Sequence, residues 1–204
     1  MLGGGVFRGR STFLLGPSGS GKTTLALQFV MEGVRRGEQA LYVSFEENPT
    51  QLDSQIRALG FDPEDARGKG LRFLYVSPVE LQIDSIVATI FHAIRDGDIQ
   101  RVAIDAVGDL VAATNDVHRL HSYLYALSQH FAVNGVTSMF PYEIGANRER
   151  ELRLSALGDN IIALGVEIEG GKGRRTMRIV KARGIDHDLD ERQLRISGRG
   201  VEVS

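Results

Sequence analysis

The segment with the clearest chemical potential is a glycine-rich run that ends in a lysine and a threonine. It reads Gly16-Pro17-Ser18-Gly19-Ser20-Gly21-Lys22-Thr23. Glycines let the backbone wrap closely around phosphates and point several N–H groups inward. Lys22 adds a positive charge for the β- and γ-phosphates, and Thr23 offers a hydroxyl to magnesium. The run predicts a phosphate-binding loop for ATP and Mg²⁺, and the next helical residue, Thr24, is expected to bind nucleotide as well.

The sequence on either side of this loop has the pattern that such a loop requires. Ser11–Leu15 is an apolar stretch typical of a buried strand, and a helix is predicted from about Lys22 to Arg36. The positive N-terminal end of that helix would face the phosphates. The alternative is a glycine-rich turn without function, and the strand-loop-helix context argues against it.

An acidic residue closes a second apolar run. Asp105 ends the segment Arg101–Asp105, which is predicted to be a strand. In a parallel sheet, ligands bind at the edge where the strands end, and magnesium at phosphates needs a carboxylate there. We therefore expect Asp105 to share the metal with Thr23. An ordinary acidic loop residue is the alternative.

Two adjacent glutamates follow another predicted strand, Ala40–Phe45. Glu46 and Glu47 would lie at the same edge of the sheet, where they could orient and deprotonate the attacking water. They could equally be a solvated pair before the helix that Asn48 caps, and the residues alone leave both interpretations open. Glu143 is a weaker candidate of the same kind.

A late segment is rich in basic residues: Arg174, Arg175, Arg178, Lys181 and Arg183. Side chains two apart in a strand share a face, so Lys181 and Arg183 could reach one phosphate together. The alternatives are a solvated strand face, an edge charged against aggregation, and a nucleic-acid contact. The chain's net charge of −2 gives no overall attraction to nucleic acid.

Length and composition are consistent with one domain over residues 1–204. The chain has no cysteine, so disulfides and zinc-thiolate sites are excluded and a cytoplasmic location is expected. No apolar run approaches the ~20 residues of a membrane span, so no membrane partner is predicted.

Strand-like and helix-like segments alternate over the first two-thirds of the chain. Beyond the strands named above, the pattern predicts strands at Leu71–Val76 and Val136–Phe140. It predicts helices from Pro49 to about Gly60, at Ile83–Arg95 and at Val117–Val133, with loops at 106–116 and 142–152. Two late strand pairs follow: Asn160–Glu169 with Arg174–Arg183, and Leu194–Ile196 with Val201–Val203. The predicted fold is α/β, a central mostly parallel sheet flanked by helices with a C-terminal antiparallel β extension.

Together these residues resemble the KaiC family of RecA-like P-loop ATPases over nearly the whole chain. The leading segment Leu2–Gly9 is similar to that family's, as are Phe45-Glu46-Glu47 and Ile104-Asp105. A late strand, Ile179-Val180-Lys181-Ala182-Arg183-Gly184 with His187, resembles the family's Lys-x-Arg-Gly strand.

The resemblance implies functions that the residues alone leave open. It makes Glu46 and Glu47 the preferred catalytic pair in ATP hydrolysis. It also implies that Lys181, Arg183 and His187 reach the nucleotide of a neighbouring subunit, so that the chain forms a ring, expected to be a homohexamer. Signalling or circadian-type regulation, with a signalling protein as partner, is the expected role.

Several departures from the family pattern narrow these expectations. The family's clock members carry two such domains and this chain has one, and its abrupt start suggests that Met1 is internal to a longer protein. Ser155-Ala156 leaves one hydroxyl where the clock kinase domain has a Ser-Thr pair, so only weak serine autokinase activity is expected. Pro141-Tyr142-Glu143 replaces the usual Thr-x-Glu. A DNA-handling RecA-like ATPase and a nucleotide-sensing scaffold with negligible turnover remain the alternatives.

Overall fold

A computed structural model describes residues 1–76, 83–114, 117–144, 157–198 and 200–204, without the side chains of 111–114, 117–119 and 169. The strands are β1 Ser11–Gly16, β2 Ala40–Ser44, β3 Leu71–Tyr75, β4 Arg101–Asp105, β5 Thr137–Glu143, β6 Asn160–Glu169, β7 Lys172–Ala182, β8 Arg192–Ser197 and β9 Gly200–Val203. The helices are α1 Lys22–Arg35, α2 Pro49–Ala58, α3 Pro63–Gly68, α4 Ile83–Gly97, α5 Val107–Thr114 and α6 Val117–Val133.

All of the described strands belong to one sheet, in the order β3-β2-β4-β5-β1-β6-β7-β8-β9. Pairings from β3 to β6 are parallel, and those from β6 to β9 are antiparallel. The parallel strands β1 to β6 begin at one edge of the sheet, named here the amino edge, and end at the other, the carboxyl edge. The predicted α/β fold with a C-terminal antiparallel extension is confirmed.

Helices cover both faces of the parallel part. On one face, Leu27 and Val30 of α1 pack in a buried cluster with Leu14. On the other, Ile90 of α4 packs in a second cluster with Phe13. Phe13 and Leu14 are adjacent in β1 and both are fully buried, because successive strand residues point to opposite faces. This two-sided burial explains the continuous apolar run that predicts β1.

Local signals place the starts of the predicted helices α1 and α2 correctly. Asn48 accepts a hydrogen bond from the Gln51 N–H, the Gln51 side chain accepts one from the Asn48 N–H, and Pro49 is the first residue of α2. This capping box satisfies two backbone donors that the helix cannot pair internally. The chain enters α1 differently, through Gly21 at φ 100° and without a side-chain cap.

The prediction misses two helices and the end of one strand. The short helix α3 is absent from the prediction, and residues 107–114, predicted as loop, form α5. Gly108 and Asp109 have low helix propensity, which argues against a helix here. Val107 and Leu110 are fully buried, so packing stabilises α5. β5 also continues beyond Phe140 to Glu143, because pairing with β1 carries the strand past Pro141.

Within the described residues, no helix is long and apolar enough to span a membrane.

Candidate functional site

A cleft of about 530 Å³ opens at the carboxyl edge, between the glycine-rich loop and the ends of β2, β4 and β5. It brings together residues from distant parts of the sequence that the sequence analysis selected: Ser18, Gly19, Gly21, Lys22, Thr23, Thr24, Glu46, Asp105 and Glu143. It is also lined by residues that were not selected: Ala106, Gly108, Asp109, Arg175 and Ile196.

The glycine-rich loop has the geometry of an anion cradle. Gly19 and Gly21 have φ of 74° and 100°, a region that side chains disfavour. A Cβ at Gly16 would lie 2.6 Å from the Oγ of Ser20, so the base of the loop also needs glycine. That Oγ is buried and has no hydrogen-bond partner among the described residues. With the uncapped N-terminus of α1, these features suit a phosphate group.

The ammonium group of Lys22 is held by backbone oxygens at the start of the glycine-rich loop. The residue is only 8% exposed, and Nζ donates to the backbone oxygens of Gly16 at 2.9 Å and Pro17 at 2.8 Å. Nζ also lies 3.4 Å from Oε2 of Glu143 on β5. A positive charge that is buried and oriented in this way acts more strongly on a phosphate than a solvated one would.

Asp105 ends β4 beside Thr23, the first turn of α1. The aspartate is 8% exposed, and the fully buried Tyr42 of β2 donates to its Oδ2 at 2.6 Å. Burial raises the pKa of Asp105, whereas hydrogen bonds from Tyr42 and Thr23 and the charge of Lys22 act to lower it. Burial, and then the nearby Asp105, raise the pKa of Tyr42 well above its ordinary value, which keeps its hydroxyl a donor at neutral pH.

The donors around Thr23 suit Mg²⁺. A hydroxyl and a buried carboxylate are the hard oxygen ligands that this ion takes beside phosphates. Asp109, Glu46 and Glu143 add carboxylates to the same cleft, against the positive charges of Lys22 and Arg175. A divalent cation would offset this excess of negative charge.

The two predicted catalytic glutamates have different surroundings. Glu46 is exposed and lines the cleft. Glu47 is half-buried, its Oε1 accepts a hydrogen bond from Gln55 of α2, and its N–H donates to the Oγ of Ser44. Burial, opposed by the Gln55 hydrogen bond, raises the pKa of Glu47, and the nearby Asp105 and Glu46 raise it further. Glu46 thus lines the cleft, whereas Glu47 is not among the residues that line it.

Asp109 is a cleft residue that sequence reasoning missed. It lies in the first turn of α5, and its Oδ2 is buried without a hydrogen-bond partner among the described residues. Burial and the charge of Glu46 raise its pKa to about 6, with smaller contributions from Asp105 and Glu143. The sequence shows only that Asp109 lies four residues after Asp105. That spacing indicates a cleft residue only once residues 107–114 are known to form a helix.

Arg175 reaches the loop from the antiparallel extension. Its Nε donates to the backbone oxygen of Gly19 at 2.8 Å. Ile196 of β8 closes the same side, and a Cβ on Gly21 would come within 2.7 Å of its Cδ1. The basic pattern of β7 was visible in the sequence, but it did not distinguish Arg175 from its neighbours.

Lys181 and Arg183 do not lie at this cleft. Lys181 pairs with Ile161 near the start of β6, and its Nζ donates to the Gly158 oxygen at 2.7 Å. Nη1 of Arg183 lies 3.7 Å from Oδ1 of Asp159. Both residues therefore sit at the amino edge, and Lys181 is six residues from Arg175, or ~20 Å along an extended strand. Neither side chain reaches the cleft of its own chain.

His187 follows β7 near the same edge. Its Nδ1 lies 3.2 Å from the backbone oxygen of Ile185, and its Nε2 is buried without a partner among the described residues. Ser155, the expected phosphorylation site, lies outside the described residues, as does most of the predicted loop 142–152.

A second cleft of about 460 Å³ adjoins the loop on the side of α2. It shares Thr23, Thr24 and Ile196 with the first cleft and adds Leu27, Gln55, Leu59 and Ser197, among others. A mixed apolar and polar pocket next to a phosphate cradle has the character needed for the nucleoside part of a nucleotide.

The fold and the loop define a P-loop ATPase domain with a RecA-type sheet. A family model described as "ATPase: KaiC" matches residues 1–204, and the chain belongs to this KaiC ATPase family. The circadian clock protein KaiC3 of Synechocystis sp. is 31% identical over 205 residues, which cover 92% of this chain and 40% of that protein. The circadian clock oscillator protein KaiC of Picosynechococcus sp. is 31% identical over 210 residues, covering 100% of this chain and 40% of that protein.

The fold is also matched by a solved structure. A KaiC-like protein of the archaeon Pyrococcus horikoshii OT3 superposes with a TM-score of 0.88 at 23% identity, covering 100% of this chain and 93% of that one. At this identity the likeness shows the fold. The chain spans about 40% of the length of the curated clock proteins named above.

Proposed function

We propose that this KaiC-family domain binds ATP with Mg²⁺ at the carboxyl-edge cleft and hydrolyses it, with the active site completed by a neighbouring subunit in a ring. The observation that carries the proposal is the division of the predicted site between two edges of the sheet. Lys22, Thr23, Asp105 and Glu46 converge on one cleft. Lys181 and Arg183 lie at the opposite edge.

Within one chain, the cleft supplies binding and the start of the chemistry. The loop backbone and Lys22 hold the phosphates, while Thr23 and Asp105 would hold the magnesium ion. When bound, that ion would neutralise charge that develops on the phosphates. Glu46 orients the attacking water and accepts its proton, and the half-buried Glu47 adds negative charge nearby.

In a ring, the amino edge would supply a further cation to the cleft of the next subunit. In the transition state of phosphoryl transfer, a cation from a neighbouring subunit can stabilise the charge on the transferred group. Arg183 suits this role, because its side chain is 60% exposed beside Asp159. Lys181 and His187 lie on the same edge and would accompany it. A homohexameric ring would bring this edge to the cleft of the next subunit.

The biological role that fits this assembly is nucleotide-dependent signalling, including circadian-type regulation through a protein partner. Weak autokinase activity at Ser155 is a further part of the proposal. If the chain binds ATP without turnover, the role is that of a nucleotide-sensing scaffold.

The test is steady-state phosphate release by the wild type and by the Glu46→Gln/Glu47→Gln double variant. We expect hydrolysis to fall about 100-fold in the variant, the typical contribution of a general base, with ATP affinity retained. The matched control is Glu64→Gln/Asp65→Asn, an exposed acidic pair in the first turn of α3. Equal rates in the wild type and the glutamate variant would exclude the catalytic pair, and added single-stranded DNA that stimulates the wild type would favour the DNA-handling alternative.

A further inference from the structure

Tyr42 connects the core of the sheet to Asp105. It lies in β2, is fully buried, and packs edge-on against Phe73 of β3 with ring centroids 6.3 Å apart. Its hydroxyl donates to Oδ2 of Asp105 on the adjacent strand β4 at 2.6 Å. Tyr42 is fully buried and does not line the cleft, so its hydrogen bond reaches the carboxylate from the core of the sheet.

The contact has a consequence for the direction in which Asp105 points. A terminal carboxylate rotates over a broad range of torsion angles unless a hydrogen bond selects one. The short bond from Tyr42 occupies Oδ2 and so selects one orientation of the carboxylate. Asp105 lines the cleft together with Thr23 of α1, and its remaining acceptor capacity is available to a ligand there.

A tyrosine at this position is more than the core requires. Phenylalanine would fill the same space and keep the contact with Phe73, and it would avoid burying a polar group. The hydroxyl is tolerated in a fully buried side chain because Asp105 satisfies it. The pairing is therefore specific to the chemistry of Asp105 and not a demand of packing.

We propose that Tyr42 is a positioning residue, whose hydroxyl orients the Asp105 carboxylate for the divalent cation that accompanies the nucleotide. The inference rests on the proposed function in one respect, which is that Asp105 holds the cation. Hydrogen-bond partners behind a metal ligand are commonly worth 10- to 100-fold in metal affinity. Tyr42 belongs to that class of residue, although it never touches the ion.

The experiment uses Mn²⁺ as the spectroscopic substitute for Mg²⁺ and ADP as the nucleotide, which avoids turnover. Free Mn²⁺ is measured by electron paramagnetic resonance during titration of the full chain with ADP present, and ADP affinity is measured separately in EDTA. For Tyr42→Phe we expect about tenfold weaker Mn²⁺ binding with unchanged ADP affinity in EDTA. Tyr125→Phe, which removes the hydroxyl of a 55% exposed tyrosine on α6, should match the wild type.

A double-mutant cycle with Asp105→Asn separates the possible failures. Because the hydroxyl acts through the carboxylate, Tyr42→Phe should have no further effect on Mn²⁺ affinity in the Asp105→Asn background. If Asp105→Asn weakens Mn²⁺ binding and Tyr42→Phe does not, the positioning role is wrong and the proposed metal site stands. If neither variant weakens it, Asp105 is not a ligand and both proposals fail.

Loss of folding is monitored by circular dichroism and by ADP binding in EDTA. If Tyr42→Phe loses both signals, the hydroxyl is needed for the fold, and the positioning role is rejected. A merely structural defect would also lower ADP affinity without metal, whereas the positioning role leaves that affinity unchanged and is rescued by raising the Mn²⁺ concentration.

Discussion

The two edges of the sheet carry basic residues of similar type in very different settings. At the carboxyl edge, Lys22 is 8% exposed and held by two backbone oxygens, and Arg175 donates to the loop itself. At the amino edge, Lys181 donates to the Gly158 oxygen at 2.7 Å, but the Arg183 side chain is 60% exposed and lies 3.7 Å from Asp159. The Lys22 ammonium is therefore pre-organised at the cleft of its own chain, whereas the Arg183 guanidinium is exposed at the opposite edge.

The largest effect is expected from removing the basic side chains of the amino edge. Lys181→Ala/Arg183→Ala should reduce ATP hydrolysis about 1,000-fold, the usual scale for losing a cation that stabilises phosphoryl transfer from outside. ATP affinity of the isolated chain should be nearly unchanged, because neither side chain approaches its own loop. Phosphate release and ATP titration measure the two quantities, with exposed Arg178→Ala as the control.

Mixing two inactive variants tests whether this edge acts on a neighbour. A Lys181→Ala/Arg183→Ala chain keeps its glutamates, and a Glu46→Gln/Glu47→Gln chain keeps its basic pair. In mixed rings the second chain can serve the first, so part of the activity should return. No recovery, in mixtures shown by native mass spectrometry to have co-assembled, would contradict action between subunits.

The second largest effect is expected from removing the Lys22 ammonium at the carboxyl edge. Lys22→Ala should weaken ATP binding about 100-fold, because it removes charge-assisted hydrogen bonds to phosphate from a buried site. Isothermal titration calorimetry with the nucleotide checks this, and Lys172→Ala, an exposed lysine at the start of β7, should bind like the wild type. A small effect of Lys22→Ala would show that the loop does not hold the phosphates.

A smaller effect on ATP affinity is expected from substitution of Arg175, at the opposite end of β7 from Lys181. Arg175→Ala should weaken ATP binding about tenfold, since one hydrogen bond to the loop and one nearby positive charge are lost. Unlike the change at the far end of the same strand, this loss should appear in a chain diluted to the monomer. Arg195→Ala on β8 is the exposed control, and an unchanged affinity for Arg175→Ala would leave that residue with a structural role.

The smallest effect concerns the acidic side of the cleft. The pKa of Asp109 is raised from 3.8 to about 6, so ionisation costs more in the folded than in the unfolded chain. Wild-type stability is therefore lost relative to Asp109→Asn as the pH rises from about 4 to about 6, and the difference stays constant above that range. Because the side chain is partly exposed, we expect the variant to gain only about 1 kcal/mol at pH 7.5.

Urea denaturation at pH 4 and pH 7.5 measures this difference. Asp186→Asn, an exposed aspartate near the amino edge, should show no comparable gain. MgADP should reduce the gain of Asp109→Asn at pH 7.5, because a bound cation offsets the charge that the substitution removes. A gain that is larger at pH 4 than at pH 7.5 would contradict the assigned direction of the pKa shift.

Much of the fold was predictable because its signals are local. The capping box at Asn48, the apolar runs of β1 and β4 and the amphipathic α1 each depend on neighbours within a few residues. Two of the three errors fall where packing decides: α5 is held by buried Val107 and Leu110, and β5 is extended by its pairing with β1. The third, α3, carried a local signal that the prediction missed, because Asp62 accepts a hydrogen bond from the Glu64 N–H and Pro63 is the first helical residue.

The sequence by itself determined the phosphate loop, the acids that end β2 and β4, and their arrival at one edge, because parallel strands share a direction. Only the tertiary structure decided which basic residue of β7 meets that edge. The antiparallel pairing of β7 with β6 places Arg175, opposite Val166, at the loop, and Lys181, opposite Ile161, at the other edge. The tertiary structure also decided that Tyr42 hydrogen-bonds Asp105 and that Asp109 lines the same cleft, because these placements depend on strand order and on the packing of α5.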